Sequence, residues 1–420
     1  MTLVFEEATL LDCTGRDPQP QMRVQLEEGR ILRIGRTDAS VMPRDARVID
    51  CAGRFLMPGL LDAHVHLSST ELDEHKEVET PPAVLALRIA KQIEDALDGG
   101  FTTVRDAGGL DWGFKESRRL GLIRGPRLLI SGPFISQTGG HADHRPRTVR
   151  PSSPWMSGWS RDSIIADGPD EVRRAAREVL RRGGDQIKVM ASGGAASPND
   201  ELDHVQYSVE ELAAAVDVAH AVSTYVMAHA YGPRSIQNCL QAGVRSIEHG
   251  NFLDEETADQ MLASDDVFLV PTIITYELLS RREAGNGWTE ANVRKIRQAL
   301  TGAYDSLSLA YEKGLRIGSG SDVLAGMHRD RGREIACHAR VMGAMAAIIA
   351  STRTNAELLR LGDEIGTVEA GKRADLIVVN GDPLADPGLF GEPHNVRMVM
   401  MDGLVVKDED GPLVGLAATQ

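Results

Sequence analysis

The segment "LMPGLLDAHVHLSS", residues 56–69, ends an apolar run in two histidines one residue apart. In an extended chain residues two apart share a face, so Asp62, His64 and His66 project together. Two imidazoles at one strand end are either joint ligands of an ion or a polar rim. Further along, Lys188 in "QIKVMAS", His229 in "VMAHAYG", His249 in "SIEHG" and Asp322 in "RIGSGSD" each close a β-rich run. Taken singly, His229 and His249 read as hydrogen-bonded rim residues and Asp322 as a cap. Lys188, between Ile187 and Val189, is harder to place. An inward ammonium is desolvated, which lowers its pKa unless a carboxylate pairs with it. A neutral amine there can capture carbon dioxide as a carbamate, an anion whose two oxygens can bridge two metal ions. Four imidazoles, one carbamate and one carboxylate together make a nitrogen and oxygen set for two divalent ions. Zn²⁺ suits that set best, ahead of Mn²⁺ or Co²⁺.

Such a site requires a fold that gathers strand ends. Eight β-rich runs (60–66, 101–108, 127–135, 186–192, 224–230, 245–250, 267–273 and 315–322) alternate with helical patterns. Among the helices, "PDEVRRAAREVLRRGG" opens on Pro with early acids and "SVEELAAAVDVAHAV" on Ser with early Glu, as helix starts prefer. The alternation predicts an α/β chain with a (β/α)₈ barrel over residues 58–357, whose C-terminal strand ends meet at one mouth. No Gly-rich nucleotide fingerprint follows the first run, which disfavours an open doubly wound sheet. Residues 1–57 and 358–420 read differently. The runs "MRVQLEEGRILRIG", "ARVIDCAGRFLMPG" and "VRMVMMDGLVVKDED" have the alternation and Gly turns of hairpins. Both ends together predict one small composite β-sandwich domain. Between Gln137 and Gly168 nothing periodic is present, and loops of that length are usually functional or disordered. Its Arg145, Arg147 and Arg150 could hold a carboxylate and its Trp155 or Trp159 an aromatic group, or the loop could make oligomer contacts.

Composition narrows the partners. With 46 Lys and Arg against 61 Asp and Glu, the net charge of -15 argues against nucleic acid or an anionic membrane. The first residues lack a basic leader pattern, and the most apolar helical stretch, "ARVMGAMAAIIA", is too short to span a bilayer. Four scattered cysteines without CxxC spacing read as reduced thiols of a cytoplasmic protein and disfavour a zinc–thiolate site.

The pieces "PGLLDAHVHL", "IKVMASGG", "AHAYG", "SIEHG", "GSGSD" and "GTVEAGKRADLIVV" span nearly the whole chain. In their types and order the chain strongly resembles the amidohydrolase superfamily. The resemblance implies the barrel with a composite terminal β domain. It also implies His64 and His66 on one metal, His229 and His249 on the other, and carboxylated Lys188 bridging. Asp322 would bind metal and shuttle a proton. Within the superfamily, "QTGGHAD" and "AHAYG" are similar to a branch of prolidase-like metallopeptidases. Members cleave dipeptides or N-acyl amino acids with release of the C-terminal residue, and some hydrolyse ochratoxin A. The counterparts of His141 and Tyr231 line the substrate site there. The implied activity is amide hydrolysis of a small molecule by metal-activated water, in a homo-oligomer. A cyclic amide, carbamate or lactone hydrolase with the same site, and a non-catalytic barrel relative, are the alternatives. Ser321 stands before Asp322 where threonine is common in relatives. His328 in "AGMHRD" reads as a further contact or as a surface residue.

Overall fold

The computed structural model describes residues 2–39, 42, 46–145, 163–197, 199–285 and 288–411. From the N-terminus, β1 (Leu3–Leu10), β2 (Gln19–Glu27), β3 (Arg30–Arg36), β4 (Arg47–Asp50) and β5 (Phe55–Pro58) precede the first histidines. Then follow β6 (Leu60–Val65), β7 (Phe101–Asp106), β8 (Arg127–Ile130), β9 (Phe134–Ser136) and β10 (Ser163–Ile165). The alternation continues through β11 (Ile187–Met190), β12 (Val226–Ala230), β13 (Ser246–His249) and β14 (Phe268–Val270). The chain closes with β15 (Leu376–Val379), β16 (Val396–Met401) and β17 (Leu404–Asp408).

The central strands form two parallel sheets, one ordered β6-β7-β8 and one ordered β10-β9-β11-β12-β13-β14. Every residue of β6, β7, β11, β12, β13 and β14 is buried, as expected for parallel strands covered on both faces. The third expected strand is broken. Gly132, at φ 59°, and Pro133 split it into β8, which pairs back to β7, and β9, which pairs forward to β11. The eighth expected run forms no strand of its own; it makes a bridge, Ile317 to Leu269, and backbone hydrogen bonds to β6, from Ala63 N to Ser319 O at 2.9 Å and from Asp322 N to His64 O at 2.8 Å. Helices cross between the strands where expected. Pro169–Arg181 starts on its proline, and Val209–Ala221 is capped reciprocally by Ser208 and Glu211.

Both ends of the chain share one eight-stranded sheet, ordered β17-β16-β15-β5-β1-β2-β3 with β4 beside β1. β2 and β3 form the expected hairpin, as do β16 and β17. β4 and β5 do not pair with each other: both run parallel to β1, one after the other along its edge. The turn at Cys51–Gly53 bends back onto Glu6 and Glu7 instead of reversing the strand. This sheet buries apolar side chains on both faces. Leu56, Leu376, Val378 and Met400 pack on one side with Phe5 and Val24. Met57, Ile377 and Val399 face the other way, against Leu60, Val104 and the helix residues Ile89 and Ile93. The period-two alternation of the strands thus joins the terminal sheet to the base of β6 and β7. A strand the sequence analysis missed, β10, lies within the long loop and pairs with β9.

Candidate functional site

The C-terminal ends of β6, β11, β12 and β13 open into one cavity of about 110 Å³. His64, His66, Lys188, His229, His249 and Asp322 all line it, as do His141 and Tyr231. On β11, Lys188 and Met190 share the inward face, and on β12 so do Met227 and His229. Ring centroids lie 5.2 Å apart for His64 and His66, 4.9 Å for His64 and His249, and 4.5 Å for His229 and His249. One ligand atom each of His64, His249 and Asp322 falls within 4.8 Å of the others. Asp322 Oδ1 is 3.5 Å from His64 Nε2 and 3.3 Å from His66 Nε2.

Each imidazole has one nitrogen tied to the protein. His64 Nδ1 lies 2.7 Å from Glu248 Oε2, and His66 Nδ1 3.0 Å from Gly108 O. His229 Nε2 lies 3.0 Å from Gly193 O, and His249 Nδ1 2.8 Å from Thr272 Oγ1. A ring N–H donated to an oxygen leaves the other nitrogen with its lone pair, the form that binds a metal. Burial pushes His64, His229 and His249 well below the ordinary histidine range, so the three rings are neutral. For His66 burial works in the same direction, but the hydrogen bond and charge of Asp322 outweigh it and raise the ring.

Among the described residues, the buried atoms with no hydrogen-bond partner include two nitrogens that line this cavity, His64 Nε2 and Lys188 Nζ. An orphaned polar atom in an interior is costly, by about 1–3 kcal/mol, unless something absent from the chain completes it. Burial pushes the Lys188 amine down to about 8, against the charges of Glu248 and Asp322. These donors, all nitrogen and oxygen, fit divalent ions. The backbone adds its own mark. His249 and Asp322 both sit in the left-handed region, at φ 73° and 52°. For residues of this kind such a conformation costs on the order of 1–3 kcal/mol and clusters at functional sites. At His249 it has a clear use. Glu248 already faces inward toward His64, and a regular strand would send its neighbour outward.

Tyr231 is buried and its hydroxyl lies 2.8 Å from that of Tyr276, itself 3.2 Å from His249 Nδ1. His141 stacks on His229 with centroids 4.3 Å apart, and burial pushes its ring down to about 4. Leu279, Trp288, Ile296 and Leu324 add apolar lining to the cavity. Arg145 is engaged by Asp143, with Nε to Oδ1 at 2.6 Å, and does not line the cavity. Arg147, Arg150, Trp155 and Trp159 lie outside the described residues. His328 is neither surface nor lining: it is buried, 2.9 Å from Ser69 O. Sequence reasoning missed Glu248, Thr272 and Tyr276, whose roles depend on contacts between distant strands. Among the described residues no helix is long and apolar enough to cross a membrane, and all four cysteines are buried and unpaired.

A mixed α/β chain with a histidine and carboxylate cluster at its strand ends has the donor set of a metal-dependent hydrolase. The family model described as the amidohydrolase family matches residues 55–406, and the chain belongs to that family. Ochratoxinase of Aspergillus niger is 32% identical over 378 residues, covering 86% of this chain and 76% of that protein. A solved prolidase in complex with N-methylphosphonate-L-proline superposes with a TM-score of 0.92 at 36% identity, over 97% of this chain and 100% of that one. A solved Xaa-Pro dipeptidase with methionine in its active site gives 0.85 at 28% identity, over 97% and 100%. The chain therefore sits in the prolidase-like branch.

Proposed function

We propose that this protein is a binuclear metal-dependent amide hydrolase that releases the C-terminal amino acid from a dipeptide or an N-acyl amino acid. Ochratoxin A is one substrate of that chemical type. The observation that carries the reading is the pair of buried, unpartnered nitrogens, His64 Nε2 and Lys188 Nζ, in one cavity with Asp322. The names of the relatives, an ochratoxinase, a prolidase and an Xaa-Pro dipeptidase, support the substrate class.

In this reading His64, His66, His229, His249, Lys188 and Asp322 would hold two divalent ions, most suitably zinc, with Lys188 carboxylated on its side-chain nitrogen. The bound ions would supply a water ionised near neutral pH and a Lewis acid for the carbonyl oxygen. Asp322 Oδ1, beside both first histidines, takes the proton of the attacking water and returns it to the amide nitrogen, which leaves poorly until protonated. His141 and Tyr231 contact the substrate beside the ligand histidines. Leu279, Trp288, Ile296 and Leu324 exclude water and receive an apolar group. The two parallel sheets and the Ile317 run act as one (β/α)₈ barrel spanning 58–357, with 1–57 and 358–420 as a β-sandwich domain.

The test is amino acid release from a panel of dipeptides and N-acyl amino acids, ochratoxin A included, after loading with zinc and bicarbonate. Cleavage graded by the C-terminal residue is expected. No release from any member, with two metals bound per chain, would overturn the substrate class.

A further inference from the structure

His141 is held by a closed ring of hydrogen bonds that the chemistry above does not use. Its backbone N–H donates to Gln206 Oε1 at 2.8 Å, and Gln206 Nε2 donates to Asp200 Oδ2 at 2.7 Å. The other oxygen of Asp200 meets the Ser197 hydroxyl, whose Oγ lies 2.9 Å from His141 Nδ1. Ser197, Asp200 and Gln206 are all buried. Behind them stands Lys295, in the helix Glu290–Lys313, only 2% exposed. Its ammonium donates to the carbonyls of Gly194 and Ser197, both at 2.7 Å, and of Asp200 at 3.0 Å. An ammonium has three protons, so these carbonyls use all of them, while its charge balances Asp200 Oδ1 at 3.6 Å.

The ring of contacts has one consistent direction. Asp200 is the carboxylate of a buried ion pair, and a carboxylate only accepts. Ser197 has a single hydroxyl hydrogen, and the contact with Asp200 needs it. Turned to Gly194 O instead, at 3.1 Å, it would leave two lone pairs facing each other across the Ser197–Asp200 contact. Ser197 Oγ therefore accepts from His141. In the neutral ring Nδ1 carries the proton, and Nε2 on the opposite edge carries a lone pair.

We propose that Asp200 is a positioning residue: acting through Ser197, with Lys295 balancing its charge, it holds His141 as the Nδ1–H tautomer, so the ring offers substrate a hydrogen-bond acceptor. The inference rests on the reading of His141 as a substrate contact. It deepens that reading, because an acceptor matches an N–H on the amide or amine side of the substrate and not a carboxylate.

The experiment uses the full zinc-loaded enzyme with ¹⁵N-labelled histidine, His141 being assigned by its loss in His141→Gln. The wild type is expected to show a protonated Nδ1 and an unprotonated Nε2. In Asp200→Asn, of the same size, the new amide donates to Ser197, the hydroxyl turns to His141, and the tautomer flips to Nε2–H. Zinc content stays unchanged, and KM for a cleaved N-acyl amino acid rises about tenfold with kcat nearly constant, the worth of one hydrogen bond. Ser197→Thr, which keeps the hydroxyl, retains the wild-type tautomer and KM. A wild-type ring protonated at Nε2, or an unchanged tautomer in folded Asp200→Asn, overturns the proposal. Since the tautomer is read without substrate, failure of the hydrolase reading is separately visible as absence of turnover. The wild-type spectrum decides the tautomer even if the Asp200 variant does not fold.

Discussion

His64 and Glu248, 184 residues apart in the chain, share a 2.7 Å hydrogen bond in the interior beneath the site. Glu248 in turn forms an ion pair with Arg105 at 2.9 Å, and both of these side chains are fully buried. The carboxylate thus has two tasks: it orients an imidazole and it neutralises a guanidinium that has no access to water. Carboxylates behind metal-binding histidines commonly fix the ring in this way.

Replacing Glu248 by Gln removes the charge and keeps the shape. Metal affinity should fall by about 10–100-fold, as for other residues that orient ligand histidines. Stability should fall by about 3–5 kcal/mol, because Arg105 is left as an unpaired buried charge. Zinc titration against a competing chelator and denaturant unfolding measure the two effects, and unchanged affinity would mean that Glu248 serves Arg105 alone.

Asp322→Asn should retain its zinc and lose turnover by about 10²–10⁴-fold, the usual span of general acid–base catalysis. Metal content per chain, measured beside kcat, separates proton transfer from metal binding. A wild-type rate in the loaded variant would remove Asp322 from the proton path.

Lys188 makes a prediction about loading. Its amine is lowered to about 8, so it is mostly protonated below that pH and mostly neutral above it. Only the neutral amine adds carbon dioxide. At fixed dissolved carbon dioxide, activation of metal-free enzyme should be many times faster at pH 8.5 than at 6.5, where about 3% of such an amine is neutral. Lys188→Ala should lose metal occupancy and regain part of it with propionate. Full loading and full activity of that variant without propionate would exclude a bridging role.

Gly194 lies flat against His141. A Cβ added there would come within 2.1 Å of the ring carbon Cε1. Gly194→Ala should therefore displace His141 and raise KM while leaving zinc content intact, which steady-state kinetics and metal analysis together would show. An unchanged KM would separate His141 from substrate binding.

Much of the site was legible because its residue types are rare at the ends of apolar runs. His64, His66, Lys188, His229, His249 and Asp322 could each be singled out from local context, and the fold brings all six to one cavity. What local context could not reveal was Glu248. Adjacent to His249, it belongs on the opposite face by strict alternation, and only the left-handed φ of His249 lets both face the interior. The relay behind His141 was equally hidden, since Ser197, Asp200 and Lys295 meet through a loop and a helix almost a hundred residues apart. In the fold, seven of the eight expected runs hold a strand, and the eighth, 315–322, contributes a bridge and backbone hydrogen bonds. The break at Gly132–Pro133 and the placement of β4 and β5 along one edge of β1 were not legible. Both depend on which neighbour a strand finds, and spacing along the chain does not state that.

The terminal sheet has a consequence for how this protein is made. β5, which leads directly into His64 and His66, pairs with β15, Leu56 opposite Val378. During synthesis, the segment that anchors the first histidines must wait for a strand translated more than three hundred residues later. Until then, the edge of β5 is open and competent to pair with another chain. The last strands thus set when the candidate site can be completed during synthesis. A nascent chain stalled before Leu376 would carry every residue of the candidate site and still lack the strand that pairs with β5 at the base of β6.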